Sequence, residues 1–230
     1  MTGKTNAPVR LPAGWGKISR EFFLDPPEQV APRLLGKILA RRTDAGWLAG
    51  RIVEVEAYLG PHITETPDPA AHSFRGVTPR NRVMFGPPGH AYVYFIYGMY
   101  DCMNVTCEPE GRAGCILIRA LEPLLGLEAM AENRKLPRNP TGHTVSGAKL
   151  TGGPGKLCRA MGIVRAEHNG LDLLSDRSPL QLRDDGAESG EVEISTRIGI
   201  RHAADLPLRF HLTGHPCVSG PGTTKAKRQG

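Results

Sequence analysis

The stretch that decides the fold reads IVEVEAYL and runs from Ile52 to Leu59. Side chains alternate between the two faces of a β-strand, so residues two apart share a face. One face would carry Ile52, Glu54, Glu56 and Tyr58, and the other Val53, Val55, Ala57 and Leu59. The second set is apolar and suits a core, whereas the first sets two carboxylates beside a tyrosine. The stretch therefore predicts a strand with one face in a hydrophobic core and two carboxylates on the other face.

Further strands and short helices are predicted on either side of this stretch. Residues 37–42 and 47–59 are extended segments around a turn sequence at 43–46, which indicates a hairpin. Residues 90–100 are strongly β-prone, and Gly98 permits a bend that would place Tyr97 at a strand end. Two more strands are predicted at 102–107 and 115–120, and helices at 25–36, at 124–134 and from Gly153 onward. These elements predict mixed α/β content.

The length and composition fit one soluble domain. The chain has 230 residues, and the simplest division is a flexible arm at 1–16, a single unit at 17–218 and a disordered basic tail at 219–230. No apolar run approaches the roughly 18 residues of a membrane span, so no membrane association is expected. Five cysteines without a C-x-x-C pair indicate reduced thiols in a cytoplasmic protein.

The formal net charge of +6 favours polyanionic partners. Many basic proteins never touch nucleic acid, so charge alone leaves the partner open. Arg80 and Arg82 lie in a Pro- and Gly-rich loop of a kind that clamps phosphates, although such loops are often merely solvated. Lys156 follows Gly153-Pro154-Gly155 at a helix start, where free N–H groups can face an anion, but the spacing of a P-loop is missing.

Two features could carry chemistry, and each has a plain structural alternative. Glu56 could act as a general base if its surroundings desolvate it, or it could simply face water or pair with an arginine. All five tyrosines fall at Tyr58 and between Tyr92 and Tyr100, which suits either a stacking platform for a nucleobase or ordinary packing in a sheet. The motifs of zinc deaminases and serine hydrolases are missing, so no metal or other cofactor is expected.

Taken together, eight segments resemble the alkyladenine (3-methyladenine) DNA glycosylase family, the type found in mammals and many bacteria that lacks a helix-hairpin-helix. They cover about residues 18–218 in order. The segments are EVEAYLG (54–60), AHS (71–73), TPRN (78–81), YVYFIYGMY (92–100), CMN (102–104), RALEP (119–123), GPGKLC (153–158) and PLRF (207–210).

This resemblance implies a role for each matching residue. Glu56 would deprotonate the attacking water, and Arg119 would help to hold that water. The flipped base would lie between Tyr58, His72 and Tyr94, with His72 hydrogen-bonded to the base edge and Asn104 excluding the 2-amino group of guanine. Leu117 and Ile200 would line the pocket, Ile200 with a backbone contact near the water. Tyr97 would wedge into the minor groove with Met99 and Tyr100 beside it, while Arg80, Arg82 and Lys156 would contact DNA.

The resemblance also implies the fold and the activity. The expected fold is a single α+β domain with a curved, mostly antiparallel sheet, surrounding helices and a protruding hairpin that carries Tyr97. The expected activity is a monofunctional repair glycosylase, acting as a monomer on double-stranded DNA. It would flip 3-methyladenine, 7-methylguanine, ethenoadenine or hypoxanthine and hydrolyse the N-glycosidic bond, leaving an abasic site. The expected location is the cytoplasm, on the nucleoid if the source is bacterial.

Two other functions are compatible with the residues. A non-catalytic nucleic-acid-binding module would use the same tyrosines and basic loops, but it would gain nothing from an acid at Glu56. A carbohydrate-active hydrolase would need a second acid, and Glu54 lies about 7 Å from Glu56 on the same strand face. The net charge and the clustered tyrosines favour DNA over carbohydrate.

Overall fold

The computed structural model describes residues 10–96, 98–137 and 145–220. Its strands are β1 Gly16–Lys17, β2 Ile38–Thr43, β3 Gly46–Tyr58, β4 Ala91–Ile96, β5 Tyr100–Cys107, β6 Gly114–Leu125, β7 Leu180–Asp184, β8 Val192–Ser195 and β9 Arg209–Leu212. Its α-helices are α1 Pro27–Leu34, α2 Leu127–Asn133, α3 Gly147–Thr151, α4 Pro154–Met161 and α5 Arg165–His168. Two 3₁₀ helices, Arg20–Phe23 and Arg82–Phe85, complete the described elements.

The strands form one sheet in the order β1-β7-β2-β3-β6-β5-β4, with β8 and β9 joined to it through β3. Every strand pairing among the described residues is antiparallel. The expectation of an α+β domain with an antiparallel sheet is therefore confirmed. Because the sheet is antiparallel, short turns such as Thr43–Gly46 suffice to connect neighbouring strands.

Strand β3 is the centre of the sheet because three strands pair with it. Its first half pairs with β2, its second half pairs with β9, and β6 runs along its other edge for most of its length. Residues from distant parts of the chain are consequently brought beside Glu54 and Glu56. The alternation predicted for β3 holds from Glu54 onward.

The predicted alternation fails at Ile52. Register shifts interrupt the pairing of β3 with β6 between Ile52 and Glu54 and again between Glu54 and Val55. A bulge of this kind turns two consecutive side chains towards one side. As a result, Ile52 and Val53 both belong to the main hydrophobic cluster. Glu54 and Glu56 are fully buried, so the acidic face of β3 is an interior face as well.

Helix positions differ from the prediction in two places. Helix α1 begins at Pro27 with Pro26 as the N-cap, later than the predicted start at Asp25, and Asp25 forms an ion pair with Arg33. The segment 124–134 begins as strand, because β6 continues to Leu125 opposite Ala49. Only Leu127–Asn133 is helical, after a left-handed Gly126.

Some described residues near each end of the chain contact the rest of the domain. Leu11 and Trp15, from the predicted arm, pack against a small hydrophobic cluster, and Gly16–Lys17 pairs with β7. Ser219, the first residue of the predicted tail, is hydrogen-bonded to Glu54 and so belongs to the folded domain. Residues 1–9 and 221–230 lie outside the described part. Among the described residues, no helix combines the length and apolar character needed for a membrane crossing.

Candidate active site

Glu56 lies in the interior with donors directed at both oxygens. Its Oε1 accepts the Ile198 backbone N–H at 2.7 Å and lies 3.2 Å from Arg119 Nη1. Its Oε2 accepts the Tyr58 hydroxyl at 3.0 Å. Two hydrogen bonds and one ion pair, all from described residues, thus hold the Glu56 carboxylate.

Arg119 stands between the two glutamates of β3. It enters from β6, and its Nε donates to Glu54 Oε1 at 2.9 Å. Burial opposes the charge on Arg119, but Glu56 and Glu54 outweigh it and raise the pKa of the guanidinium. For Glu54, burial favours the neutral acid, yet Arg119, Ser219 and Arg209 together lower the pKa of the carboxyl. Glu54 is therefore an ionised partner of two arginines.

A cavity of about 110 Å³ has Tyr58, whose hydroxyl donates to Glu56, among its lining residues. Three predicted walls, Tyr58, His72 and Tyr94, line it together with the predicted Asn104 and Ile200. The rings of His72 and Tyr94 meet edge to face, with centroids 4.5 Å apart. The cavity is also lined by Ala70, Tyr92, Ile96 and Cys115. The structure thus brings together the residues expected to hold a base.

Tyr92 is a cavity residue that the sequence analysis did not single out. Its hydroxyl lies 2.9 Å from His72 Nδ1, and its ring stacks on Tyr94 at a centroid distance of 5.6 Å. Burial raises the pKa of Tyr92 to about 12, so this hydroxyl keeps its proton at neutral pH. The alternation that places Tyr94 in the cavity also places Tyr92 on the same face, which was the available signal.

The surroundings of His72 set both its protonation and its backbone position. Burial first, and the charge of Arg80 second, lower the pKa of its imidazole, so the ring is neutral at pH 7. Its backbone carbonyl accepts a hydrogen bond from Asn81 Nδ2 at 2.8 Å. Asn81 is itself buried and also accepts the Thr78 N–H, so the TPRN motif fixes the backbone that carries His72.

A buried ion pair fastens the loops around the cavity. Asp68 and Arg197 are both fully buried and make two contacts, at 2.7 and 2.8 Å. Arg197 also donates to the Ala57 carbonyl and lies 4.6 Å from the centre of the Tyr58 ring. Asp68 accepts the Leu59 and Ala70 N–H groups. The pair therefore joins the end of β3, the loop before His72 and the segment before Ile200.

Three further residues, Asn104, Leu117 and Ile198, lie close to Glu56 or to the cavity. Asn104 donates to the Tyr92 carbonyl at 3.1 Å and is buried at the cavity. Leu117 is the cross-strand neighbour of Glu56 and of Asn104, but the cavity lining does not include it, contrary to the expectation. The backbone contact expected of Ile200 is made by Ile198, whose N–H donates to Glu56, whereas Ile200 lines the cavity.

The hairpin between β4 and β5 projects apolar and aromatic side chains. Met99 is 65 % exposed and Tyr100 is 41 % exposed. Gly98 adopts a left-handed φ of 67°, as its predicted bend requires. Tyr97, the residue predicted to enter DNA, lies outside the described residues. Gly155 has Tyr100 directly against it, so the base of the hairpin rests on the start of α4.

Cations surround this face. Arg80, Arg82 and Lys156 are all exposed, as expected for groups that meet phosphates. Arg80 lies 5.9 Å from the centre of the Tyr94 ring. It also lines a groove of about 480 Å³ with Arg75 and His202, on the outer side of His72. The cavity therefore opens within a basic surface.

The hydrolase alternative finds no support at this site. Glu54 is fully buried, is ion-paired with Arg119 and Arg209, and lies on the same strand as Glu56, so it is not a second acid across a cleft. In the described part of the chain, no three His, Cys, Asp or Glu side chains are grouped to hold a metal ion.

The chain is similar to known proteins over most of its length. The family model described as Methylpurine-DNA glycosylase (MPG) matches residues 21–216. A Koribacter versatilis protein is 50 % identical over 203 residues, covering 88 % of this chain and 93 % of that protein. A Burkholderia lata protein is 47 % identical over 209 residues, covering 90 % and 93 %. A Rhodopseudomonas palustris protein is 48 % identical over 206 residues, covering 89 % and 88 %. All three bear the name "Putative 3-methyladenine DNA glycosylase".

Proposed function

The chain belongs to the methylpurine-DNA glycosylase family and is a DNA base-excision repair enzyme that hydrolyses N-glycosyl bonds, and from this premise we propose that Glu56 is its general base. The observation that carries the proposal is a buried carboxylate that is bonded to a wall of the base cavity. Ile198, Arg119 and Tyr58 hold Glu56 in place. A water next to Glu56 would be oriented by a group able to take its proton.

The reaction follows from this arrangement. The water oxygen bonds to C1′ of the sugar as its proton passes to Glu56, and the C1′–N bond breaks with its electron pair leaving on the base. Positive charge builds on the sugar in an oxocarbenium-like state, and the Glu56 carboxylate stabilises it. Arg119 forms an ion pair with Glu56 and would lie next to the attacking water. The products are a free base and an abasic site, and no lysine lines the described cavity to form a Schiff base.

The cavity suits a flat purine. Tyr58 would stack on one side of the base, and His72 with Tyr94 on the other, at about 1–3 kcal/mol per stacked base. If Tyr92 donates to Nδ1 of the neutral His72, the proton on His72 lies at Nε2 and can be offered to the base edge. Asn104 would clash with a 2-amino group. The proposed substrates are 3-methyladenine, 7-methylguanine, ethenoadenine and hypoxanthine.

The surrounding surface suits duplex DNA. Met99 and Tyr100 project from the hairpin beside Tyr97, the proposed wedge, and Arg80, Arg82 and Lys156 would contact phosphates. Because one chain supplies the complete cavity, we propose that the protein acts as a monomer. The free buried cysteines and the DNA substrate favour the cytoplasm, and the nucleoid in a bacterium.

The test is Glu56→Gln on a duplex that contains hypoxanthine. Glutamine keeps the shape of the side chain but cannot take a proton, so single-turnover excision should fall by at least about 100-fold while binding of the lesion duplex persists. Alkali treatment converts each abasic site into a strand break that can be counted. The matched control is Glu188→Gln, at an exposed glutamate, which should excise normally.

Two outcomes would contradict the proposal. Normal turnover by the Glu56→Gln protein would remove Glu56 as the base. Lesion binding without any base release by the unmodified protein would favour the non-catalytic binding module.

A further inference from the structure

Glu54 is the centre of a buried network that the reaction described above does not use. Its Oε1 accepts Arg119 Nε at 2.9 Å and Arg209 Nε at 2.7 Å. Its Oε2 accepts the backbone N–H of Ser219 at 2.6 Å. A fully buried carboxylate is costly unless it is paired and hydrogen-bonded, and these three donors meet that requirement.

Arg119 is anchored along two edges of its guanidinium. Nε is bonded to Glu54, and Nη2 donates to the Ser219 hydroxyl at 3.1 Å. The guanidinium is planar and rigid, so fixing two of its nitrogens fixes the third. The third nitrogen is Nη1, which lies 3.2 Å from the Glu56 carboxylate. The position of that contact is thus set by Glu54 and Ser219.

Arg209 closes the network. Its Nη2 donates to the Ser219 carbonyl at 2.9 Å, and its Nη1 donates to the Ser195 hydroxyl at 3.0 Å. Through these bonds Arg209 ties the segment around Ser219 to strands β8 and β9.

We propose that Glu54, Arg209 and Ser219 are positioning residues that hold Arg119 against the general base. The inference rests on the proposed role of Glu56. It extends the working site to Ser219, which lies beyond residues 21–216 matched by the family model. None of the three residues lines the base cavity, so they act on the rate of the chemical step and not on recognition of the base.

Two shortened chains test the proposal with a matched control. One ends at Gly220 and keeps Ser219, and the other ends at Val218 and lacks it. Both lack the tail cations Lys225, Lys227 and Arg228, so the loss of basic charge is the same in each. Only the shorter chain should lose excision rate, by about 10- to 100-fold in single turnover, because misplacing a group near the reacting atoms has effects of that size. The Kd for lesion duplex should stay within about threefold between the two chains, an expectation that follows because neither Ser219 nor Gly220 lines the cavity.

Ser219→Ala in the full-length chain is the second variant, because it creates no new terminal carboxylate. It removes only the hydroxyl that holds Arg119 Nη2 and keeps the N–H on Glu54. We expect a severalfold slower chemical step and an acidic limb of the pH–rate profile displaced to higher pH, since a carboxylate held less firmly by its cation is protonated more readily. A purely structural role would leave that limb in place.

Equal single-turnover rates for the chains that end at Gly220 and Val218, with a Ser219→Ala profile that superimposes on the unmodified one, would overturn the positioning role. That result differs from failure of the proposed function. If the proposed function fails, the Glu56→Gln protein keeps its activity, whatever the Ser219 variants do.

Discussion

The buried pair of Asp68 and Arg197 gives the sharpest prediction about stability. Asp68→Asn preserves the size of the side chain but leaves the Arg197 charge without its partner in a fully buried place. The Arg197 Nε already has no hydrogen-bond partner among the described residues, so no spare acceptor is at hand. The amide introduced at position 68 would also direct an N–H₂ group towards a donor. The substitution therefore exposes the full desolvation cost of a cation.

The magnitude follows from the burial. Removing one partner of a buried pair costs about 3–5 kcal/mol. A domain of 150–250 residues loses about 2–4 °C of Tm for each kcal/mol, so Tm should fall by roughly 6–20 °C. The matched control is Asp25→Asn, which breaks the pair with Arg33, whose side chains are 48 % and 45 % exposed. An exposed pair contributes at most about 1 kcal/mol.

Urea denaturation of both variants measures these free energies of unfolding. A loss below about 1 kcal/mol for Asp68→Asn, equal to that of Asp25→Asn, would refute the reasoning from burial. Asp68→Leu combined with Arg197→Met supplies a further check. Because it removes both charges together, it should be less destabilising than Asp68→Asn alone.

The remaining predictions concern charge. Lys156→Ala should weaken binding of every DNA sequence alike and reduce the slope of log K against log salt by about 1, as measured by fluorescence anisotropy; an unchanged slope would remove Lys156 from the interface. Burial lowers the pKa of both His72 and His168, so the unfolded chain takes up these protons first as the pH falls. Their contribution to stability is present above the ordinary histidine pKa of about 6.5 and is lost as the pH falls through the folded values. His168→Gln should therefore lose less stability than the unmodified protein when the pH falls from about 7.5 to about 5.5, as measured by urea midpoints at the two pH values. An equal or greater loss in the variant would contradict this prediction.

Sequence reasoning succeeded where the backbone alone decides the answer. Alternation along a strand is a property of its geometry, so Glu56 and Tyr58 could be assigned to one face from the sequence. The same rule, applied to the segment from Tyr92 to Tyr94, would also have found Tyr92 as a cavity residue. The turn at 43–46 was readable for the same reason, because its residues are neighbours in the chain.

Contacts between residues far apart in the chain could not be predicted from strand alternation. The bulge at Ile52 depends on how β3 pairs with β6, and the burial of Glu54 depends on Arg209 and Ser219, which lie 155 and 165 residues away along the chain. Composition placed Ser219 in a disordered basic tail, because it records the absence of an apolar side chain but not a backbone N–H that satisfies a buried acid.

By itself the sequence determined the mixed α/β content, the acidic strand and, through its likeness to a family of repair enzymes, the residues that meet at the cavity. The tertiary structure alone decided how differently the two carboxylates of that strand are bonded. Glu54 and Glu56 are the same residue type on the same strand, yet the first is enclosed by two arginines and the backbone at Ser219, whereas the second is bonded to Tyr58 at the cavity. That difference arises because a carboxylate's role is set by the donors that the folded chain brings to it.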